Sequence, residues 1–242
     1  MPPCSSLISP PGRNPYGPAG KSRRIFTQGT RHTGNGGGGL TDRGRELIGR
    51  CESLGLIIDV SHASDRAFHD ILLAAEKPMI ASHSNCRSVC PNPRNLTDDM
   101  IRLLADRGGV MGINLGSGFV SPEFFQKEQG IREAFFASLR SKEKTFDEAM
   151  AISRKALVKI PRPPADLILE HVKRAIDVGG EDCAGLGGDL DGVDSTPEGI
   201  DHMGDYPRIV RLLEKGGLTQ RQIEKVCYDN FRRVFLDAGL GA

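Results

Sequence analysis

Residues 56–85 read LIIDVSHASDRAFHDILLAAEKPMIASHSN. Two short apolar runs, residues 56–60 and 78–82, each lead into a histidine, His62 and His83. Between them Ala67, Phe68, Ile71, Leu72 and Ala75 recur at helical spacing, and Ser64 stands where an N-cap belongs. The order is therefore strand, His, helix, strand, His. A helical crossover makes the two strands parallel neighbours, so both histidines fall at one C-terminal sheet edge. In α/β folds that edge holds ligands and metals.

The same alternation continues on both sides of this stretch. Upstream, Thr41 caps a helix with Leu47, Ile48, Cys51 and Leu54 on one face, and Gly55 ends it. Downstream of His83 comes the polar loop SNCRSVCPNPRN, then a helix capped by Thr97 and stopped at Gly108. Residues 110–114 read as a third strand and 115–144 as a mixed insertion with short helices. Thr145 opens a helix that Pro161, Pro163 and Pro164 break, and residues 165–178 form another. The small-residue strand 184–187 runs into Gly188, Asp189, Leu190, Asp191 and Gly192; two helices, 206–215 and 219–236, close the chain.

This is an α/β pattern with about four parallel strands in the roughly 200 residues that carry periodicity. A complete eight-strand barrel typically takes about 250 residues. The expected fold is thus about half of a TIM-type (β/α) barrel, spanning residues 40–242. Residues 1–39 are rich in Pro, Gly, Ser and Arg, lack apolar periodicity and read as a disordered tail without a signal-peptide core.

The chain has 242 residues and a net charge of +1, which argues against a nucleic-acid surface. Aromatics make up 5% and Trp is absent, so base-stacking platforms are not expected either. No apolar run has the length of a membrane span, and the terminal FLDAGLGA is not an anchor tail. A cytoplasmic location is the expectation. The cysteines, at 4, 51, 86, 90, 183 and 227, are scattered and expected to be reduced. Cys86 and Cys90 flank a loop, with no second pair to complete a structural zinc site.

Two histidines at adjacent strand ends suit zinc, for which neutral imidazole is a preferred ligand. Asp189 is the third candidate, as a metal ligand or general acid/base beside a glycine-rich strand end. Arg94, in the loop after His83, is placed to bind a carboxylate bidentately. Asp59 reads as a partner behind the site or a strand-end hydrogen bonder. Asp189, Asp191 and Asp194 do not follow the spacing of a calcium loop, and Gly185, Gly187 and Gly188 do not form a dinucleotide fingerprint. His69, His171 and His202 are expected to be solvated.

The runs LTDRGRELIGRCESLGLIIDVSHAS, PMIASHSNCRSVCPNPRNLTDDMIR, GGVMGINL and GLGGDLDGVDSTPEGIDHMGDYP resemble the membrane (renal, or microsomal) dipeptidase family of zinc metallopeptidases, from Leu40 onward. The resemblance implies a (β/α) barrel with two zincs at its C-terminal mouth, where a metal-activated water hydrolyses a dipeptide. It places two ligands of one zinc on His62 and His83 and the proton-handling aspartate on Asp189. The arginine that grips the substrate carboxylate falls on Arg94, with Asn95 in the same loop.

The chain departs from that pattern upstream. No His-x-Asp pair occurs, and the acids before His62 are Asp42, Glu46, Glu52 and Asp59, with both glutamates on an expected helix. His32 lies in the low-complexity stretch. One zinc or none is expected to be well bound, and little activity from this chain. The alternatives are an inactive fragment or pseudoenzyme of the family, and another amidohydrolase-like metal hydrolase. Homodimerisation is left open.

Overall fold

A computed structural model of the chain describes residues 38–239. Residues 1–37, most of the expected tail, lie outside the described residues, with Cys4 and His32. Three strands form one parallel sheet in the order β1 (Ile80–Ala81), β2 (Val110–Asn114) and β3 (Ala184–Gly188).

The run 56–60 takes the fourth position, beside β1, but as a single parallel bridge between Asp59 and Ile80 rather than a full strand. Ile80 N–H donates to Ile58 O at 2.9 Å, and Val60 N–H to Ile80 O at 2.8 Å. The next donor along β1, Ser82 N–H, bonds the Asp59 carboxylate at 3.1 Å instead of a backbone carbonyl. The side chain of the bridging residue thereby ends the ladder.

The helices start where their caps predicted. Thr41 caps α1 (Asp42–Ser53), Ser64 caps α2 (Asp65–Ala74) and Thr97 caps α3 (Asp98–Asp106), each through its hydroxyl. The stretch 115–144 differs from expectation. After the single turn α4 (Ser117–Val120) it forms one 20-residue helix, α5 (Pro122–Ser141), capped by Ser121 with Pro122 in its first turn. Thr145 and Glu148 form a capping box on α6 (Phe146–Leu157), and α7 (Asp166–Gly179) precedes β3.

After β3 comes α8 (Tyr206–Lys215). The single helix expected over 219–236 is divided into α9 (Gln220–Glu224), a π turn (Lys225–Asp229) and α10 (Asn230–Asp237). Just past the π turn, Asn230 Nδ2 donates to Glu181 O at 2.8 Å and Ala184 O at 2.7 Å. Those bonds tie the helix to the start of β3.

Side chains alternate across the sheet. Met111 and Ile113 of β2 face α3 and α7 and join the main core with Phe68, Met100, Leu104 and Ile168. Ile80 and Val110 face the other way, against Val234 and Phe231 of α10. That second face is lined by glycine above Val110. A Cβ on Gly187 would lie 2.0 Å from Ser82 O, and one on Gly185 would lie 2.6 Å from the Phe231 ring.

His171, expected to be solvated, is fully buried on α7. Cys86 N–H donates to its Nδ1 at 3.2 Å, and its Nε2 lies 3.0 Å from Val120 O. Burial lowers its pKa to about 4, so it is a neutral structural histidine.

Candidate active site

His62 follows the 58–60 bridge and His83 follows β1, so the crossover unit delivers both rings to one edge. Their Nε2 atoms lie 3.0 Å apart, with the rings at 61°. Two imidazoles on one tetrahedral zinc, at about 2.0–2.1 Å each, place their nitrogens about 3.3 Å apart. The pair fits as two ligands of one ion. Among the described residues, no group of three or more His, Cys, Asp or Glu is arranged to hold a metal.

Behind His83 stands a buried polar cluster. Asp59, 5% exposed, accepts from Ser61 N at 3.0 Å and Ser61 Oγ at 2.7 Å through one oxygen, and from Ser82 Oγ at 2.5 Å through the other. Ser82 Oγ lies 2.7 Å from His83 Nδ1, and His83 N–H donates to Ser61 Oγ at 3.0 Å. Burial holds the His83 imidazole below its ordinary pKa; Asp189 opposes this, Arg94 adds to it and Asp59 opposes it. The neutral form that results is the one that ligates metal.

Asp189 sits at the end of β3 in a left-handed conformation, φ 64°, just after Gly188 at φ 72°. Such a backbone is costly for a side-chain-bearing residue and persists where the surroundings fix it. Asn114, buried at the end of β2, donates from Nδ2 to Asp189 Oδ2 at 2.9 Å. Asn114 is held in turn. Its N–H and O bond the Asn85 side chain at 2.8 and 3.0 Å, and its Oδ1 takes Gly116 N–H at 2.6 Å.

Arg94 is 4% exposed, deeper than a surface-loop arginine. Its Nε donates to Ser61 O at 2.8 Å, and its guanidinium lies 5.5 Å from the Phe119 ring centroid. The loop is clamped by Asn95, which accepts from Asn85 N–H at 3.1 Å and donates to Cys90 O at 2.9 Å and Phe119 O at 3.0 Å.

The structure thus brings His62, His83, Asp189 and Arg94 to one edge, the last two close enough to act on the His83 charge. It also adds Ser61, Ser82 and Asn114, which sequence reading passed over. Ser82 adjoins a candidate ligand and Asn114 ends a strand, and those positions are the signal that could have raised them.

The chain matches the membrane dipeptidase family, peptidase family M19, over residues 20–240. It belongs to this family. It is 32% identical over 198 residues to an uncharacterised Klebsiella pneumoniae protein of the pqqA 5′ region, covering 82% of this chain and 60% of that one. With mouse dipeptidase 3 it shares 28% identity over 197 residues, 81% of this chain and 32% of the relative. The chain therefore spans between about a third and three-fifths of these two relatives.

Two solved structures share the fold. One is a metallo peptidase from Rhodobacter sphaeroides liganded with a phosphinate mimic of the dipeptide L-Ala-D-Ala, at TM-score 0.65 and 24% identity, covering 83% of this chain and 47% of that one. The other is the probable dipeptidase PvdM from Pseudomonas aeruginosa, at TM-score 0.73 and 22% identity, covering 84% and 56%. The sheet described above is accordingly part of a dipeptidase (β/α) barrel.

Several other residues weighed in the sequence take structural places. Glu52, on α1, accepts from Glu76 N–H at 3.0 Å and Lys77 N–H at 2.9 Å. It caps the turn before β1, at the opposite end of the strand from His83. Asp194 pairs with Arg154 at 2.8 Å. Burial raises the Cys90 thiol to about 12 and pushes the Cys86 thiol up further, and their sulfurs donate to Gly118 O and His171 O. No helix of the described residues is long and apolar enough to cross a membrane.

Proposed function

We propose that this edge is the part of a zinc dipeptidase site that binds one metal and the substrate carboxylate. The observation that carries the reading is the 3.0 Å approach of His62 Nε2 to His83 Nε2. His62 and His83 hold the zinc. A zinc held there would supply Lewis-acid polarisation of the scissile carbonyl and a water of lowered pKa.

The chain's own residues supply the rest. Arg94, anchored through Nε, grips the dipeptide C-terminal carboxylate with the outer edge of its guanidinium. Asp189, oriented by Asn114, takes a proton from the attacking water and passes it to the amine nitrogen as the C–N bond breaks. The neutral His83 ring leaves its Nε2 lone pair for the metal.

A catalytic zinc normally has three protein ligands, and two converge among the described residues. The 242-residue chain is therefore expected to bind dipeptides weakly and to turn them over close to background. Calorimetry with zinc-loaded protein tests the assignment. An unmodified dipeptide should bind, while its C-terminal amide should bind about 10-fold or more weakly, the loss expected when a charge-assisted pair is broken. Arg94→Ala should abolish the difference. Equal binding of acid and amide would instead favour another amidohydrolase-like chemistry, and rapid dipeptide turnover would show the site to be complete.

A further inference from the structure

A histidine ligates through the ring nitrogen that carries no proton, so its other nitrogen must hold the hydrogen. At His83 a count of donors decides which nitrogen that is. An ionised Asp59 can only accept. Ser61 gives its one hydrogen to Asp59 Oδ1 at 2.7 Å, and Ser82 gives its one hydrogen to Asp59 Oδ2 at 2.5 Å. Ser82 Oγ is then an acceptor toward His83 Nδ1 at 2.7 Å, so Nδ1 carries the ring hydrogen. The reverse assignment would set two acceptors against each other at the Asp59–Ser82 contact, in a buried site where that is costly. His83 Nε2 is left with its lone pair, and this is the atom facing His62.

We infer that Asp59 and Ser82 are positioning residues that fix His83 in the Nδ1–H tautomer and aim Nε2 at the metal. The relay is anchored to backbone, because Asp59 also accepts from Ser61 N–H at 3.0 Å and Ser82 N–H at 3.1 Å. Carboxylates and hydroxyls behind a ligating histidine set its ring orientation and basicity in this way. The use of the tautomer rests on the zinc reading above, but the tautomer itself exists without metal.

The test uses the zinc-free 242-residue chain with 15N-labelled histidine, above the imidazole titration range. Long-range proton–nitrogen correlations should show His83 with Nδ1 protonated and Nε2 bare. Ser82→Ala should move the ring toward the Nε2–H tautomer and weaken zinc binding about 10–100-fold, the range typical of such partners. Ser82→Thr, which keeps the hydroxyl, should restore both. If Ser82→Ala does not fold, Asp59→Asn is read in the same way.

A wild-type His83 protonated on Nε2 overturns the inference before any variant is made. So does Ser82→Ala with unchanged tautomer, or with zinc affinity within about two-fold of wild type. A wild-type chain that shows the Nδ1–H ring and its Ser82 dependence, yet takes no zinc, would sink the dipeptidase site and leave the relay standing.

Discussion

On the face that α3 and α7 cover, β2 contributes Met111 and Ile113, fully buried among Met100, Ile101, Leu104 and Ile168. On the other face the same strand contributes Val110, Gly112 and Asn114. Its neighbours there are Ser82, Gly185 and Gly187, with Phe231 and Val234 closing the lower end. One face is made of large apolar side chains whose burial holds the sheet to its helices. The other is made of small and polar groups, which leave the upper edge to His83, Asn114 and Asp189. Fold stability and site chemistry are thus divided between the two faces of the same strands.

The division can be broken by mutation. Ile113→Ala should lower the unfolding free energy by about 2–5 kcal/mol in urea titrations, the range for truncating a fully buried residue of this size. Val234→Ala, on the opposite face, removes two methyl equivalents and should cost about 1–2 kcal/mol. Equal losses would mean that the inner face contributes as much to the core as the outer one.

The second largest effect is a pH dependence on the helix-covered side. His171 titrates near 6.5 when unfolded and at about 4 when folded. Its contribution is complete above about pH 6.5 and is lost as pH falls toward about 4, because the unfolded chain takes up the proton first. The full span corresponds to about 3 kcal/mol. Urea midpoints for wild type should fall steeply across that window, and His171→Gln should flatten the fall. An unchanged slope in the variant would assign the acid sensitivity elsewhere.

Gly187→Ala sharpens the account of the inner face. Its Cβ would meet Ser82 O at 2.0 Å, so a backbone shift costing about 1–3 kcal/mol is expected. A neutral substitution would show that the close approach of Ser82 to β3 is not required. The smallest effect belongs to the exposed Arg154–Asp194 pair, where Arg154→Ala should change stability by less than about 1 kcal/mol.

The strand, histidine, helix order of residues 56–85 was legible because its signals are local: spacing, a serine cap and two apolar runs. The same holds for the four hydroxyl caps at Thr41, Ser64, Thr97 and Thr145. His171 was misread although its spacing was informative. It shares the buried stripe of α7 with Ile168, Val172 and Ala175, the positions three back, one on and four on. A polar residue within such a stripe is buried with partners more readily than the residue type alone suggests.

The shortening of the 56–60 strand had no local signal, since it depends on Asp59 reaching Ser82 across 23 residues. The Asn114–Asp189 clasp spans 75 residues and was equally invisible. The π turn precedes Asn230, whose side chain reaches Glu181 and Ala184, again a long-range contact. Local periodicity therefore located the two histidines, whereas the groups that contact them emerged only with tertiary structure.

The most direct measurement is zinc stoichiometry and affinity for the 242-residue chain, beside His62→Ala and His83→Ala. One zinc per chain is expected, bound weakly and lost in either variant. No bound zinc, or a zinc that survives either substitution, would contradict a metal site shared by His62 and His83.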